Sequence, residues 1–136
     1  MTLETPGQRP DVVRTAVGFR TIDFRPIHTG GPRWLHLDGE PRYVRAVMTQ
    51  GYHPDGILAY PNEATIRHDL ETAKALGFDM VRAHVKVEDP RYLALADRLG
   101  LLVWSEVPDF LAGTPEARTR WERTWRGMIE RDSGHP

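Results

Sequence analysis

The sequence has no cysteine. That excludes a disulfide framework, a thiolate metal site and a cysteine nucleophile, and it leaves the compartment open. No apolar run approaches the ~18 residues that signal a membrane span. The opening Met1-Thr2-Leu3-Glu4-Thr5-Pro6 has neither the basic nor the apolar region of a secretory signal. A true start at Met1 implies a cytoplasmic protein; a start further upstream leaves the localisation unknown. Eighteen Lys and Arg against nineteen Asp and Glu give a net charge of -1, with no basic excess to hold nucleic acid or an anionic membrane. The six histidines show no i,i+4 pair or close cluster, so neither a metal nor another cofactor is expected.

What is present is an order of elements. At 136 residues the chain is one domain's worth of sequence, roughly half the ~250 residues of a complete (β/α)8 barrel. Its first forty residues are β-rich and broken by turns. Val12-Val13-Arg14-Thr15-Ala16-Val17 and Phe19-Arg20-Thr21-Ile22-Asp23-Phe24 read as short strands separated by Gly18. Trp34-Leu35-His36-Leu37 and Tyr43-Val44-Arg45-Ala46-Val47 read as a hairpin turning at Asp38-Gly39. This β-rich leader, at about residues 1 to 41, is too short to bury a core of its own.

From Asn62 the hydrophobic period becomes 3.6. Ile66, Leu70, Ala73 and Leu76 form one stripe between an Asn62 N-cap and Gly77, with Glu63, Arg67 and Glu71 alternating in sign outside. Phe78 to Val85 reads as a strand, and Asp89-Pro90 opens a helix that runs to Gly100. Leu101-Leu102-Val103-Trp104 reads as a buried strand. Thr114-Pro115 then opens a last helix with Trp121, Trp125, Met128 and Ile129 on its apolar face. Strand–helix units of about thirty residues predict an α/β fold with a parallel sheet and right-handed crossovers.

The chemical residues gather where these strands end. In the second strand of the repeat a period of two places Arg82, His84 and Lys86 on one face and Val81, Ala83, Val85 and Val87 on the other. Burying three bases without partners costs several kcal/mol, on the order of the penalty for unpaired charges, so that end must be wet or face carboxylates or an oxygen-rich ligand. Glu106 ends the third strand, where parallel sheets collect ligands, and its ion-pair partner would be Arg82 or Arg45. The loop after the first strand carries Gln50 and Tyr52, an amide and a ring suited to sugar hydroxyls and a sugar face.

Leu37-Asp38-Gly39-Glu40-Pro41-Arg42-Tyr43-Val44-Arg45-Ala46-Val47, Asp69-Leu70, Lys74-Ala75-Leu76-Gly77-Phe78-Asp79-Met80-Val81-Arg82, the run Asp97 to Pro108 and the turn Arg131-Asp132 to His135-Pro136 resemble glycoside hydrolase family 2. That family includes β-galactosidases, β-glucuronidases and β-mannosidases. The resemblance implies a partial (β/α)8 TIM barrel, namely its first three strand–helix repeats, preceded by the short β-rich leader. It implies that residues 1–25 are the end of an immunoglobulin-like β-sandwich domain and that residues 26–136, with the leading hairpin, are the N-terminal part of the barrel. The partners expected are a β-glycoside substrate, the rest of the barrel and upstream sandwich domains.

The same resemblance places the acid/base and nucleophile glutamates beyond Pro136. No catalytic residue is therefore expected among residues 1–136, and Arg82, His84, Lys86, Glu106, Gln50 and Tyr52 would line the pocket. Pro108 stands where some members carry a metal-binding histidine, Gln50 where many carry a histidine, and Arg82-Ala83-His84 where they carry Arg-x-x-His. The family reaction is hydrolysis of an O-glycosyl bond with retention. A non-catalytic carbohydrate-binding segment and an inactive truncated product are the alternatives.

Overall fold

The computed structural model describes residues 2–4, 6–7, 9–14, 16–109 and 113–136. The readings that involve Met1, Thr5 and Thr15 lie, for those residues, outside the described ones. The leader begins with β1 (Thr2–Leu3), paired antiparallel with β2 (Asp11–Val12). A separate three-stranded antiparallel sheet holds β3 (Ile22–Pro26), β4 (Arg33–Leu37) and β5 (Glu40–Arg42) in the order β3-β4-β5.

The hairpin turns at Asp38-Gly39, with φ of 51° and 85°. Two residues in the left-handed region match a tight type I′ turn, which is why this pair suits the position. Its second strand is Glu40–Arg42 rather than the predicted Tyr43–Val47, because Ala46 and Val47 are drawn into the parallel sheet instead. The strand predicted at Phe19–Phe24 starts only at Ile22. Residues 18 to 20 dock elsewhere: the Gly18 N–H donates to the Gly134 carbonyl at 2.9 Å, and the Arg20 guanidinium donates to the His135 carbonyl. Phe19 is left 91% exposed. Residues 25 and 26, between which the sequence reading divided the chain, are neighbours within β3 and pair with consecutive residues of β4.

The second half has the predicted strand–helix alternation. Strands β6 (Ala46–Thr49), β7 (Met80–Ala83) and β8 (Leu102–Ser105) form a parallel sheet in sequence order. Helices α1 (Glu63–Ala75) and α2 (Pro90–Leu99) connect them and pack against each other. Each helix is capped as its sequence implies. The Thr65 N–H donates to Asn62 Oδ1 at 3.0 Å, and the Arg91 N–H donates to Asp89 Oδ1 at 2.8 Å. Gly100 then closes α2 at φ 65°, a conformation open to glycine without a Cβ penalty. Leu76, predicted on the α1 stripe, is the C-cap residue and points to solvent.

One core forms between the helices and one face of the sheet. Ile66, Leu70 and Ala73 of α1 meet Tyr92, Leu93, Leu95 and Ala96 of α2 over Val81, with Val47 and Val103 flanking. At about 1.5–3 kcal/mol for each large side chain fully buried, this contact holds the two repeats together. Helix α3 (Pro115–Asp132) begins with the Ala117 N–H donating to Thr114 Oγ1 at 3.2 Å. Of its predicted apolar face only Met128 is buried; Trp125 and Ile129 are exposed. Among the described residues no helix is long and apolar enough to cross a membrane.

Candidate functional site

Alternation along the parallel strands divides the sheet into two faces. The row Val47, Val81, Val103 faces the helices, and the row Met48, Arg82, Trp104 faces away from them. Trp104 is 54% exposed, so the strand predicted as buried is buried on one side only. Its indole lies beneath the Arg82 guanidinium, 5.1 Å from carbon to ring centroid, within range of a cation–π contact.

Glu106, just past the end of β8, meets that guanidinium. Arg82 Nε donates to Glu106 Oε1 at 2.6 Å, and the Val85 N–H donates to Oε2 at 2.9 Å. The choice between Arg82 and Arg45 is thereby resolved. Arg45 pairs with Asp79 at the opposite end of the strands, at 3.1 Å. The Glu106 carboxyl is held below the usual carboxylate range, first by the Val85 N–H and then by Arg82. A carboxylate stabilised in this way is an anchor and an acceptor; a general acid needs the opposite shift.

The second strand departs from the predicted period of two after Ala83. His84 still follows the ladder, its N–H donating to the Thr49 carbonyl at 2.9 Å. Val85 then turns into the left-handed region at φ 47°, costly for a β-branched residue, and its N–H is delivered to Glu106. Val85 is consequently exposed, and Lys86 leaves the face of Arg82. Only 18% of the Lys86 side chain is exposed. Its ammonium sits 3.2 Å from Glu88 Oε2, 3.4 Å from the Gly51 carbonyl and 5.0 Å from the centroid of Tyr60. Lys86, read from the sequence as sharing the face of Arg82 and His84, thus lies beyond the turn at Val85 and is mostly covered, facing Glu88.

Gln50 and Tyr52 are both exposed, on either side of the buried Gly51, in the loop after β6. Arg82, His84 and Glu106 therefore come together, while Gln50 and Tyr52 stand on the adjoining loop. Sequence reasoning missed Trp104, Met48 and Glu88. A period of two counted back from Glu106 points to Trp104, whereas nothing local marks Glu88 as buried. Among the described residues no group of three or more His, Asp or Glu is placed to hold a metal. A cleft of about 620 Å³ lies at the other end of the strands, around Tyr43, Arg45, Asp79 and Leu102. It surrounds the Arg45–Asp79 pair and not Arg82–Glu106, and parallel strands gather ligands at their C-terminal ends.

The chain is 30% identical to a β-galactosidase of Vibrio cholerae serotype O1, over 98% of this chain and 13% of that protein. The β-glucuronidase structure of Parabacteroides merdae superposes with a TM-score of 0.83 at 25% identity, over 99% of this chain and 16% of that one. The likeness is to glycoside hydrolase family 2. A second structure, the family 2 β-galacturonidase of Eisenbergiella tayi bound to galacturonate, matches with a TM-score of 0.77 at 26% identity, over 88% of this chain and 21% of that one. No family model matches the chain. The chain thus spans about an eighth of the length of the curated galactosidase it matches, and its mixed α/β fold resembles a portion of the family 2 β-glucuronidases.

Proposed function

We propose that residues 1–136 form part of a retaining β-glycosidase and supply one wall of its sugar pocket. The observation that carries this reading is the Arg82–Glu106 pair at the C-terminal ends of adjacent parallel strands, on the face turned away from both helices. Strands in sequence order, with successive helices packed against each other, are the arrangement from which a (β/α)8 barrel is built, and the helix-free face is then its interior. In this reading β6, β7 and β8 are three barrel strands. We place the end of an immunoglobulin-like domain before Ile22 rather than after residue 25, because β3 pairs along its length with β4.

Retaining hydrolysis needs one carboxyl group to protonate the leaving oxygen and another, about 5–5.5 Å away, to attack the anomeric carbon. Glu106 has both oxygens engaged and its charge stabilised, so it serves neither role. It orients Arg82, and the pair presents fixed charge to the groups that do the chemistry. His84 stands beside them to donate to a sugar hydroxyl, with Gln50 and Tyr52 at the rim. The segment alone is inactive in this reading. The test is a panel of aryl β-glycosides offered to a complete glycosidase chain carrying this segment, with the product anomer followed by NMR. Release of the β-anomer supports the proposal; an inverted product, or no hydrolysis of any member, contradicts it.

A further inference from the structure

Lys86 and Glu88 form an internal contact that the pocket itself does not explain. Glu88 is 2% exposed, and neither carboxylate oxygen accepts a hydrogen bond from a described residue. The charge facing it is the Lys86 ammonium at 3.2 Å. A carboxylate buried in this way is tolerated because of that cation, and removing either partner strands the other.

The contact reaches two other elements. The Lys86 ammonium also donates to the Gly51 carbonyl at 3.4 Å. Gly51 has φ 63°, and a Cβ there would lie 2.4 Å from Lys86 Nζ and 2.9 Å from its Cδ. The positive φ favours glycine, and its missing Cβ leaves room for the lysine to pass so close. On the other side, Arg131 of α3 donates from Nη2 to the Glu88 carbonyl at 2.8 Å. Tyr60 closes the group, its hydroxyl pKa pushed up by burial and then by the Glu88 charge, so the ring under the ammonium stays neutral. His53 lies against that ring, tilted by 45°, at 4.1 Å between centroids.

We infer that Lys86 and Glu88 are positioning residues: the pair pins Gly51, and so sets where the exposed side chains of Gln50 and Tyr52 stand relative to Arg82 and His84. The link to sugar binding rests on the glycosidase reading above; the latch itself does not. Gly51 is the only buried residue between Gln50 and Ala59, and its tie to Lys86 holds this loop to the second repeat.

The experiment is hydrogen–deuterium exchange by mass spectrometry on a complete chain carrying this segment, comparing wild type with Lys86→Met, Lys86→Arg and Glu88→Gln. Methionine keeps the stem on Tyr60 and removes the charge. Exchange in peptides covering residues 50–60 should rise at least tenfold in Lys86→Met and should also rise in Glu88→Gln, by a larger factor than in peptides of β7 and α1, and Lys86→Arg should restore most of the protection. Unchanged exchange in 50–60, or equal loosening of every peptide, would overturn the latch. Kinetics on the same proteins separate the two readings. A KM raised about tenfold with kcat nearly kept is expected if the loop meets sugar. Faster loop exchange with wild-type KM would keep the latch and remove Gln50 and Tyr52 from the pocket.

Discussion

Arg82 and Val85 share one carboxylate: the guanidinium takes Glu106 Oε1 at 2.6 Å and the Val85 N–H takes Oε2 at 2.9 Å. The left-handed turn at Val85 (φ 47°) is what brings that N–H round. Strand end, turn and neighbouring strand are therefore fixed by a single side chain.

Arg82→Ala should destabilise a complete chain carrying this segment more than the double change Arg82→Met/Glu106→Gln. The single change leaves a carboxylate facing the sheet without its guanidinium, whereas the double change removes the charge as well. Chemical denaturation of wild type, Arg82→Ala, the two single changes Arg82→Met and Glu106→Gln, and their double measures this. A double variant that loses the sum of the two single losses would show that the residues do not act as a pair.

His84→Ala should lower kcat/KM for an aryl β-glycoside at least tenfold, with the denaturation midpoint close to wild type. A hydrogen bond to a sugar hydroxyl that strengthens in the transition state and contributes ~2–3 kcal/mol corresponds to roughly 30- to 150-fold. Wild-type kinetics in the variant would make the imidazole a bystander.

Asp89 caps α2, and its carboxyl is lowered to about 2, first by the Arg91 side chain and then by the Arg91 N–H. A depressed carboxyl contributes stability that is fully present above its ordinary value of ~3.9 and is lost as pH falls through the folded value. Asp89→Ala should cost about 1 kcal/mol at neutral pH, as for other N-caps. Wild type and variant should converge as pH falls from about 4 toward 2. A gap that persists at low pH would show that the cap acts through something other than charge.

Residues 1–136 expressed alone should be aggregation-prone or partly molten. The edges of β6 and β8 are unpaired among the described residues, and Trp104, Trp125 and Ile129 stand exposed. Open edges and uncovered apolar faces lead to association. A monomer with a single sharp thermal transition and dispersed amide resonances would count against this.

The sequence showed most plainly what is decided locally. Asn62, Asp89-Pro90 and Thr114-Pro115 announced three helix starts because a cap is a contact between residues two or three apart. Asp38-Gly39 announced its turn for the same reason. Long-range competition was not legible. Ala46 and Val47 can pair in a hairpin or in a parallel sheet, and only the partner strand β7 decides. The geometry of the candidate site was half legible: Arg82 pairs with Glu106 rather than with Asp79, but a period of two carried past Ala83 could not foresee that a valine would turn left-handed, with Lys86 beyond it facing Glu88. Trp104 was misread because four apolar residues in a row look buried on both faces when the strand has only one covered.

The central claim is that the helix-free face around Arg82 and Glu106 lines a glycosidase pocket without carrying its catalytic pair. Glu106→Gln in a complete glycosidase chain carrying this segment tests it most directly, with kcat/KM on an aryl β-glycoside set beside the rate of residues 1–136 alone. The account predicts at least a tenfold fall for the variant, with measurable turnover remaining, and no turnover by residues 1–136 above a buffer blank. Unchanged kinetics in Glu106→Gln would remove this face from the pocket, and turnover by residues 1–136 that Glu106→Gln abolishes would make this carboxylate catalytic, against the account.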